Sequence, residues 1–555
     1  MMTLTCAISG QTFTITDEDK AYYQTMGVPL PTLCPDERAR RRMVWSNQRN
    51  LKKRKCSGTG KDIISNFDAD SVFPVYDVHH FFSDKWDQNA TGRDFDFSRP
   101  FFEQFEALMQ VAPRPALQRS PEYDENAEYT NYAGKNKNCY LIFDSDKNWD
   151  CSYAYSLNNC QNCQDCYRLE DSELCYECVD CAKCYNGRFL QNCENCADSQ
   201  FLKNCIGCKN CFGSVNLRNK EFYFMNEKLT EEAYKAKLAA LDLKTEKGLK
   251  GLRSHFVEHA KKYPVRYMEG VQNEDCLGNY LTHCKNAQYC FDCRKQWDCK
   301  YVTQGFDTAK SCMDCTEVGD DAELLYECYC MGYGPYNCRF CTHELGRSVN
   351  LDYCYFAPYC EDCFGCVGLH HKKFCILNKQ YSESEYKALV PKIIEHMGGP
   401  RKTEGFVGRG GGDEVSEDPQ SGSEQRNHQR REWGEYFPFS LSPFAYNETM
   451  AMDNFPLTKE EALKRGFRWD DALDAGAERP FKVQKVDEKF YKDMGLPTPT
   501  VHPEVRHLAR VALRNPRVLY DRVCGDCGCA VQTTHSPDRP EKVLCETCFQ
   551  KVVDG

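Results

Sequence analysis

Residues 175–184 read Cys175-Tyr-Glu-Cys178-Val-Asp-Cys181-Ala-Lys-Cys184, four cysteines at a strict spacing of three. The spacing extends outward in both directions. Across residues 139–217 all 14 cysteines fall on one column of every third residue, filled otherwise by Leu, Ser and one each of Ile, Ala, Gly and Asn. No member of the column is charged, so one row is buried and two are solvated. A period of three is neither the 3.6 of an α-helix nor the 2 of a strand, and 3₁₀ runs of that length do not form. Within the column, cysteine also recurs at 12 residues, as at Cys139, Cys151, Cys163 and Cys175. The pattern predicts a narrow solenoid with coils of 12 residues, in places 15, stacked ~4.8 Å apart with thiols in ladders.

The column returns in a second segment. Leu281, Cys284, Ala287, Cys290 and Cys293 keep one phase, and Ser348, Leu351, Cys354, Ala357, Cys360, Cys363, Cys366 and Leu369 another. Bulged or looped coils are expected where Cys328 and Cys330 break the rhythm. A shift of 152 aligns Cys208 with Cys360, Asn226 with Asn378 and Tyr234 with Tyr386, and reaches back to Cys160 and Cys312. A second duplication, at a shift of 468, matches residues 13–80 to 481–548 without a gap, pairing Tyr23 with Tyr491, Pro31 with Pro499 and Arg54 with Arg522. The coil length resembles the 12-residue β-helices of beetle antifreeze proteins in geometry alone, because the Thr-x-Thr rows that bind ice are missing.

The expected fold class is mixed and β-rich (α+β): two tandem Cys-lined β-solenoid segments, helical connectors, and duplicated zinc-ribbon-like modules at both termini. The expected order is a degenerate zinc-ribbon-like module (1–95), a helical connector (96–132), solenoid 1 (133–222), a helical segment (223–275), solenoid 2 (276–376), a helix (377–397), a flexible linker (398–432), an aromatic-rich segment (433–475) and a zinc-binding module (476–555). No apolar run is long enough to span a membrane and no secretory leader is apparent, so the expected address is the cytoplasm. There, 38 cysteines in 555 residues point to metal ligands or small buried thiols rather than disulfides. The lumen thiols read either as compact filler or as ligands for metal or an iron-sulfur cluster, although no ferredoxin spacing is present.

Cys524-x2-Cys527 and Cys545-x2-Cys548 form the strongest motif, two Cys-x2-Cys knuckles at zinc-ribbon spacing. Four protein ligands close the site, which favours a structural zinc over a catalytic one, and Cys529 is read as spare. At the N-terminus, Cys6 with Cys34 and Cys56 with His80 are weaker candidates, with Ser9, Glu37, Thr59 and Asp77 at the remaining positions.

Pro31-Thr-Leu-Cys-Pro35, Arg54-Lys-Cys56, Gly92-Arg-Asp-Phe-Asp-Phe-Ser-Arg-Pro-Phe-Phe102, the Cys-x2-Cys runs and Tyr436-Phe-Pro-Phe-Ser-Leu-Ser-Pro-Phe-Ala-Tyr446 resemble a family of long bacterial Cys-repeat proteins with terminal zinc-binding modules. The resemblance spans nearly the whole chain. It implies architecture and no chemistry, since no activity is known for that family.

Nine of the 18 residues 38–55 are basic, against a net charge of -11 for the chain. Arg38, Arg40, Arg41, Arg42, Trp45, Lys52, Lys53, Arg54 and Lys55 are therefore candidates to grip nucleic acid, the alternative being a solvated helix face. No nucleophile elbow, phosphate loop or His-Glu-x-x-His motif occurs. The expectation is a non-enzymatic zinc-binding scaffold with a protein or RNA partner, or, as the rival, a metal or electron carrier built on the thiol ladder.

Overall fold

The computed structural model describes residues 1–120, 123–305, 309–310, 313–314, 316, 322, 326–327, 329–330, 332, 334–340, 342, 346–399, 432–474 and 479–554. All but the ends of the expected linker 398–432 lie outside the described residues. Among the described residues, no helix is long and apolar enough to cross a membrane.

Solenoid 1 runs from the strand Arg119–Ser120 to Tyr223–Phe224. Parallel pairing climbs one coil every 12 residues, as in the series Lys137, Trp149, Gln161, Glu173, Tyr185, Ala197, Lys209 and Glu221. The residue before each column position has a left-handed backbone. In one coil these are Asn159, Asn162, Asp165 and Arg168, with φ of 51° to 58°. A coil is thus four three-residue sides joined at four left-handed corners. Asn, Asp and Gly tolerate that conformation best, which is why Asn192, Asn195, Asp198, Asn204 and Gly207 precede column residues. Corner side chains also bond from coil to coil: the Asn138 amide donates to Asp150 at 3.0 Å and that of Asn204 to Asn216 at 2.7 Å.

The lumen explains the cysteines. Where a polar side chain stands one coil earlier in the column, it receives a column residue's N–H. Ser145 accepts from Leu157 at 3.0 Å, Asn148 from Cys160 at 2.9 Å and Ser172 from Cys184 at 3.1 Å. Thiols do the same, Cys139 taking the amide of Cys151, Cys166 that of Cys178 and Cys181 that of Cys193. Thiol sulfurs of solenoid 1 also donate to carbonyls nine residues ahead at 3.4 to 3.7 Å, Cys166 to Cys175 and Cys196 to Cys205 among them. Cys and Ser are small and bring the lumen both an acceptor and a donor, while Leu, Ile and Ala fill other column positions by packing alone.

Solenoid 2 begins with shorter and 12-residue coils, then inserts one residue per coil. Lys300 pairs with Met313, Thr303 with Thr316, Thr316 with Tyr329, Tyr329 with Thr342 and Thr342 with Tyr355. The 12-residue step returns at Tyr355 to Val367. Each 13-residue coil moves the column by one, which is the cause of the phase slip in the sequence.

The terminal modules cross over. The strand Val75–Tyr76 of the N-terminal module pairs with Arg114–Pro115 before solenoid 1, while its helix Pro35–Met43 packs on solenoid 2. The C-terminal module does the reverse. Its strand Val543–Leu544 pairs with Val265–Arg266 before solenoid 2, and its helix Pro503–Val511 packs on solenoid 1. The two docking sites use matched residues. Arg38, Arg42 and Tyr23 converge on Asp314, at 3.1, 4.0 and 3.5 Å. Their aligned partners Arg506, Arg510 and Tyr491 converge on Asp165, the last two at 2.9 and 3.0 Å. Both acids are fully buried and sit in Cys-x-Asp-Cys. Tyr23 meets Tyr326 edge-on at 5.3 Å as Tyr491 meets Tyr176 at 5.7 Å. The described part of the C-terminal module contacts both solenoids. Arg514 extends this, bonding Asp180 of solenoid 1 at 2.8 Å and Asp292 of solenoid 2.

Candidate metal centre

The hairpin Tyr520–Val523 and Ala530–Thr533 ends in a knuckle in which Cys524 N–H donates to the Cys529 carbonyl at 2.8 Å and Gly528 N–H to that of Cys524 at 3.0 Å. Gly528 has φ of 75°, where a Cβ would be strained. Gly525 N–H ties the knuckle to Val543, two residues before Cys545, and Cys545 N–H points at the Cys524 sulfur at 3.3 Å. The helix Glu546–Asp554 starts there, with its positive end at Cys545 and Cys548.

The sulfurs of Cys524, Cys527, Cys529 and Cys545 all lie within 4.8 Å of one another. Cys548, buried in the first helical turn, contacts Cys524, Cys527 and Cys545. Cys527 and Cys545 are 3.7 Å apart. Four sulfurs at ~2.3 Å from a tetrahedral ion stand ~3.8 Å from each other, so the spacing fits such an ion. Desolvation pushes the Cys524 thiol up, but amide N–H groups of Cys545, Cys527 and Asp526 outweigh it and bring it down to about 5. A thiolate is thereby ready for a cation. Cys529, read as spare, belongs to the cluster, its thiol pushed up to about 12 chiefly by its hydrogen bond to Cys527. Two cysteines one residue apart in a tight turn share a face, a signal the Cys-x2-Cys template overlooks.

The knuckle recurs at two places with fewer ligands. Cys6 N–H donates to Gln11 at 2.8 Å, Gly10 has φ of 70°, and Cys34 lies beside Cys6 with Ser9 Oγ 3.7 Å from its sulfur. Glu37, the fourth position, bonds Arg40 and Arg465 instead. At the other, Cys56 N–H donates to Lys61 at 2.8 Å and Gly60 has φ of 72°. Asp77 N–H meets the Cys56 sulfur at 3.3 Å, repeating the Cys545 contact. The Asp77 carboxylate caps the helix Val78–Phe81 and the His80 ring lies against Tyr76. Among the described residues, only the C-terminal cluster brings three or more such ligand atoms within 4.8 Å. The described solenoid thiols form no such group.

The basic stretch does not form the expected nucleic-acid surface. Arg38, Arg42 and Trp45 are about 99–100 % buried and Arg41 and Arg54 nearly so. Arg41 bonds Glu327 at 2.7 Å and Glu435 at 2.8 Å, Arg40 bonds Glu37, and Trp45 packs on Tyr355 and Phe437. Lys52 sits among Asp68, Glu448 and Asp470, Arg54 bonds Ser71, and Lys55 pairs with Asp62. Only Lys53 of the nine is exposed without an ion pair. The physical reason is acid partners distant in sequence, which turn a basic run into an internal interface.

No family model and no curated protein matches the chain. Among solved structures, one from Desulfovibrio desulfuricans G20, provisionally assigned as an acetyltransferase, covers 48% of this chain and 71% of its own at 6% identity and a TM-score of 0.10, a likeness that carries no argument.

Proposed function

We propose that the chain is a non-enzymatic scaffold whose joint between the C-terminal module and solenoid 2 is stapled by a structural zinc ion. The observation that carries this reading is the position of the thiol cluster. Cys545 follows directly on the strand that pairs with Val265–Arg266, and Glu546 beside it bonds Arg266 through both oxygens at 2.5 and 2.7 Å. An all-thiolate site at tetrahedral spacing suits zinc, and with every position taken by protein it leaves none for substrate. Cys524, Cys527, Cys545 and Cys548 are the ligands, with Cys529 able to replace one of them. The exposed solenoid faces are then the surface for a protein partner. Every described cysteine is a free thiol, in keeping with a reducing, cytoplasmic address.

The electron-carrier reading is less well supported, because the described lumen thiols bond backbone groups and do not gather in closed sets. Elemental analysis with an absorption spectrum of anaerobically purified protein tests the choice. One zinc per chain and a colourless solution are expected. Brown protein rich in iron overturns the scaffold reading.

A further inference from the structure

A cavity of about 370 Å³ lies where the strand Lys52–Lys55, the first coils of solenoid 1 and the start of the helix Pro503–Val511 meet. That volume is within the range of small-molecule sites. Its wall carries five cations, Arg49, Lys52, Lys53, Arg479 and Lys482, against one acid, Glu504. Arg49 is neutralised by Glu504 at 2.9 Å and Asp453 at 2.6 Å, and Lys52 by its three acids. Among the described residues Lys53, Arg479 and Lys482 make neither an ion pair nor a side-chain hydrogen bond; Arg479 acts at longer range on Glu504, helping to hold its carboxyl down, and Lys53 and Lys482 are exposed cations in the lining of an acidic protein.

The lining is also aromatic. Tyr129, Tyr140 and Phe481 line the cavity, with Tyr129 and Tyr140 at 5.3 Å, while Tyr153, 5.7 Å from Tyr140, is buried beneath them with Arg506 over its ring and its hydroxyl donating to Asp487. His502 caps the helix Pro503–Val511 by accepting the Glu504 N–H on Nδ1 at 3.1 Å. Burial lowers its pKa, so the neutral ring carries its proton on Nε2 as a donor. The duplication supplies an internal comparison. His502 and Phe481 align with Cys34 and Phe13, which in the N-terminal copy are buried with the knuckle of Cys6 and Ser9. The C-terminal copy has cations at Arg479 and Lys482 in place of that hairpin.

We infer that this cavity binds a small phosphate-bearing ligand with a planar ring, a nucleoside phosphate, with Lys53, Arg479 and Lys482 on the phosphate and the tyrosines against the ring. Unpaired cations select the anion and the aromatic wall the base. The inference is independent of the scaffold reading and of the zinc site.

Calorimetric titration of the full chain with adenosine monophosphate and, separately, inorganic phosphate tests it. One nucleotide is expected to bind per chain, phosphate alone at least about tenfold more weakly, and both more weakly as salt rises. The combined variant Lys53→Gln, Arg479→Gln, Lys482→Gln should lose at least about tenfold in affinity while its melting temperature and metal content stay those of the parent. No binding of either probe at about 5 mM, or equal binding by the variant, overturns the proposal. Phosphate binding as tightly as the nucleotide removes the ring from it.

Discussion

Replacing Asp165 by Asn should loosen the C-terminal module from solenoid 1. The carboxylate is wholly buried and receives Arg506, Arg510 at 2.9 Å and the Tyr491 hydroxyl at 3.0 Å, while the two arginines are themselves 9% and 3% exposed. Asn keeps one acceptor oxygen and loses the charge, leaving two guanidinium ions without a counterion. Breaking a buried ion pair costs about 3 to 5 kcal/mol, and the retained acceptor places Asp165→Asn near the lower end and Asp165→Ala near the upper. With a urea slope of about 2 kcal/mol/M, the unfolding midpoint should fall by about 1.5 to 2.5 M. Hydrogen exchange in the helices Lys485–Asp493 and Pro503–Val511 should rise first. Asp314→Asn should do the same to the helices Asp17–Met26 and Pro35–Met43. Removing Arg506 and Arg510 along with Asp165 should recover most of the loss. A midpoint shift under about 0.3 M for Asp165→Asn refutes the reasoning, because the pair would then be worth no more than a surface salt bridge.

Cys545→Ser should remove most bound metal, measured by elemental analysis, and raise exchange along the strand Val265–Arg266 as well as in its own hairpin, since the two are paired. Cys166→Ser should be tolerated, whereas Cys166→Val, which leaves the Cys178 amide without an acceptor, should cost about 1 to 3 kcal/mol more in a melting experiment. Asn204→Val, which puts a branched side chain at φ of 52° and breaks the bond to Asn216, should lower stability by about 1 to 3 kcal/mol, with Asn204→Gly losing less. Burial holds His535 at about 4, below its unfolded value near 6.5, so the unfolded chain binds the extra proton between those values and stability falls as pH drops through that window; His535→Gln should flatten the decline in denaturation midpoints between pH 7 and 4.

The solenoid was legible because its constraint is local. A column with no charge and a period of three leaves few backbone paths, and the second copy's phase slip is the trace of 13-residue coils. The left-handed corners were also written in the chain, as Asn or Asp before so many column cysteines, but a reading of composition by column does not ask what φ a position needs. The basic stretch misled for the opposite reason. Arg38 and Arg42 are explained by Asp314, and nothing near them in sequence says so. The available signal was joint: Tyr23, Arg38 and Arg42 recur as Tyr491, Arg506 and Arg510 in one duplication, and Asp165 and Asp314 share the local setting Cys-x-Asp-Cys in the two solenoids, although the shift of 152 sets Asp165 against Glu317. Residues kept together in both copies are candidates for touching. The zinc-ribbon spacing was legible at Cys524 and Cys545, while the part of Cys529 depended on the turn's shape.

The crossing of the terminal modules sets a timetable for synthesis. Arg41 leaves the ribosome 286 residues before Glu327 and Asp165 waits 345 residues for Arg510. At 5 to 20 residues per second these gaps are about 15 to 70 seconds. Through that interval the nascent N-terminal arm carries its arginines unneutralised beside ribosomal RNA, and solenoid 1 holds an acid it cannot yet pair. Residues made after solenoid 2 therefore complete solenoid 1, and a chain cut before Arg506 is left with an unpaired buried acid at Asp165 rather than one finished half.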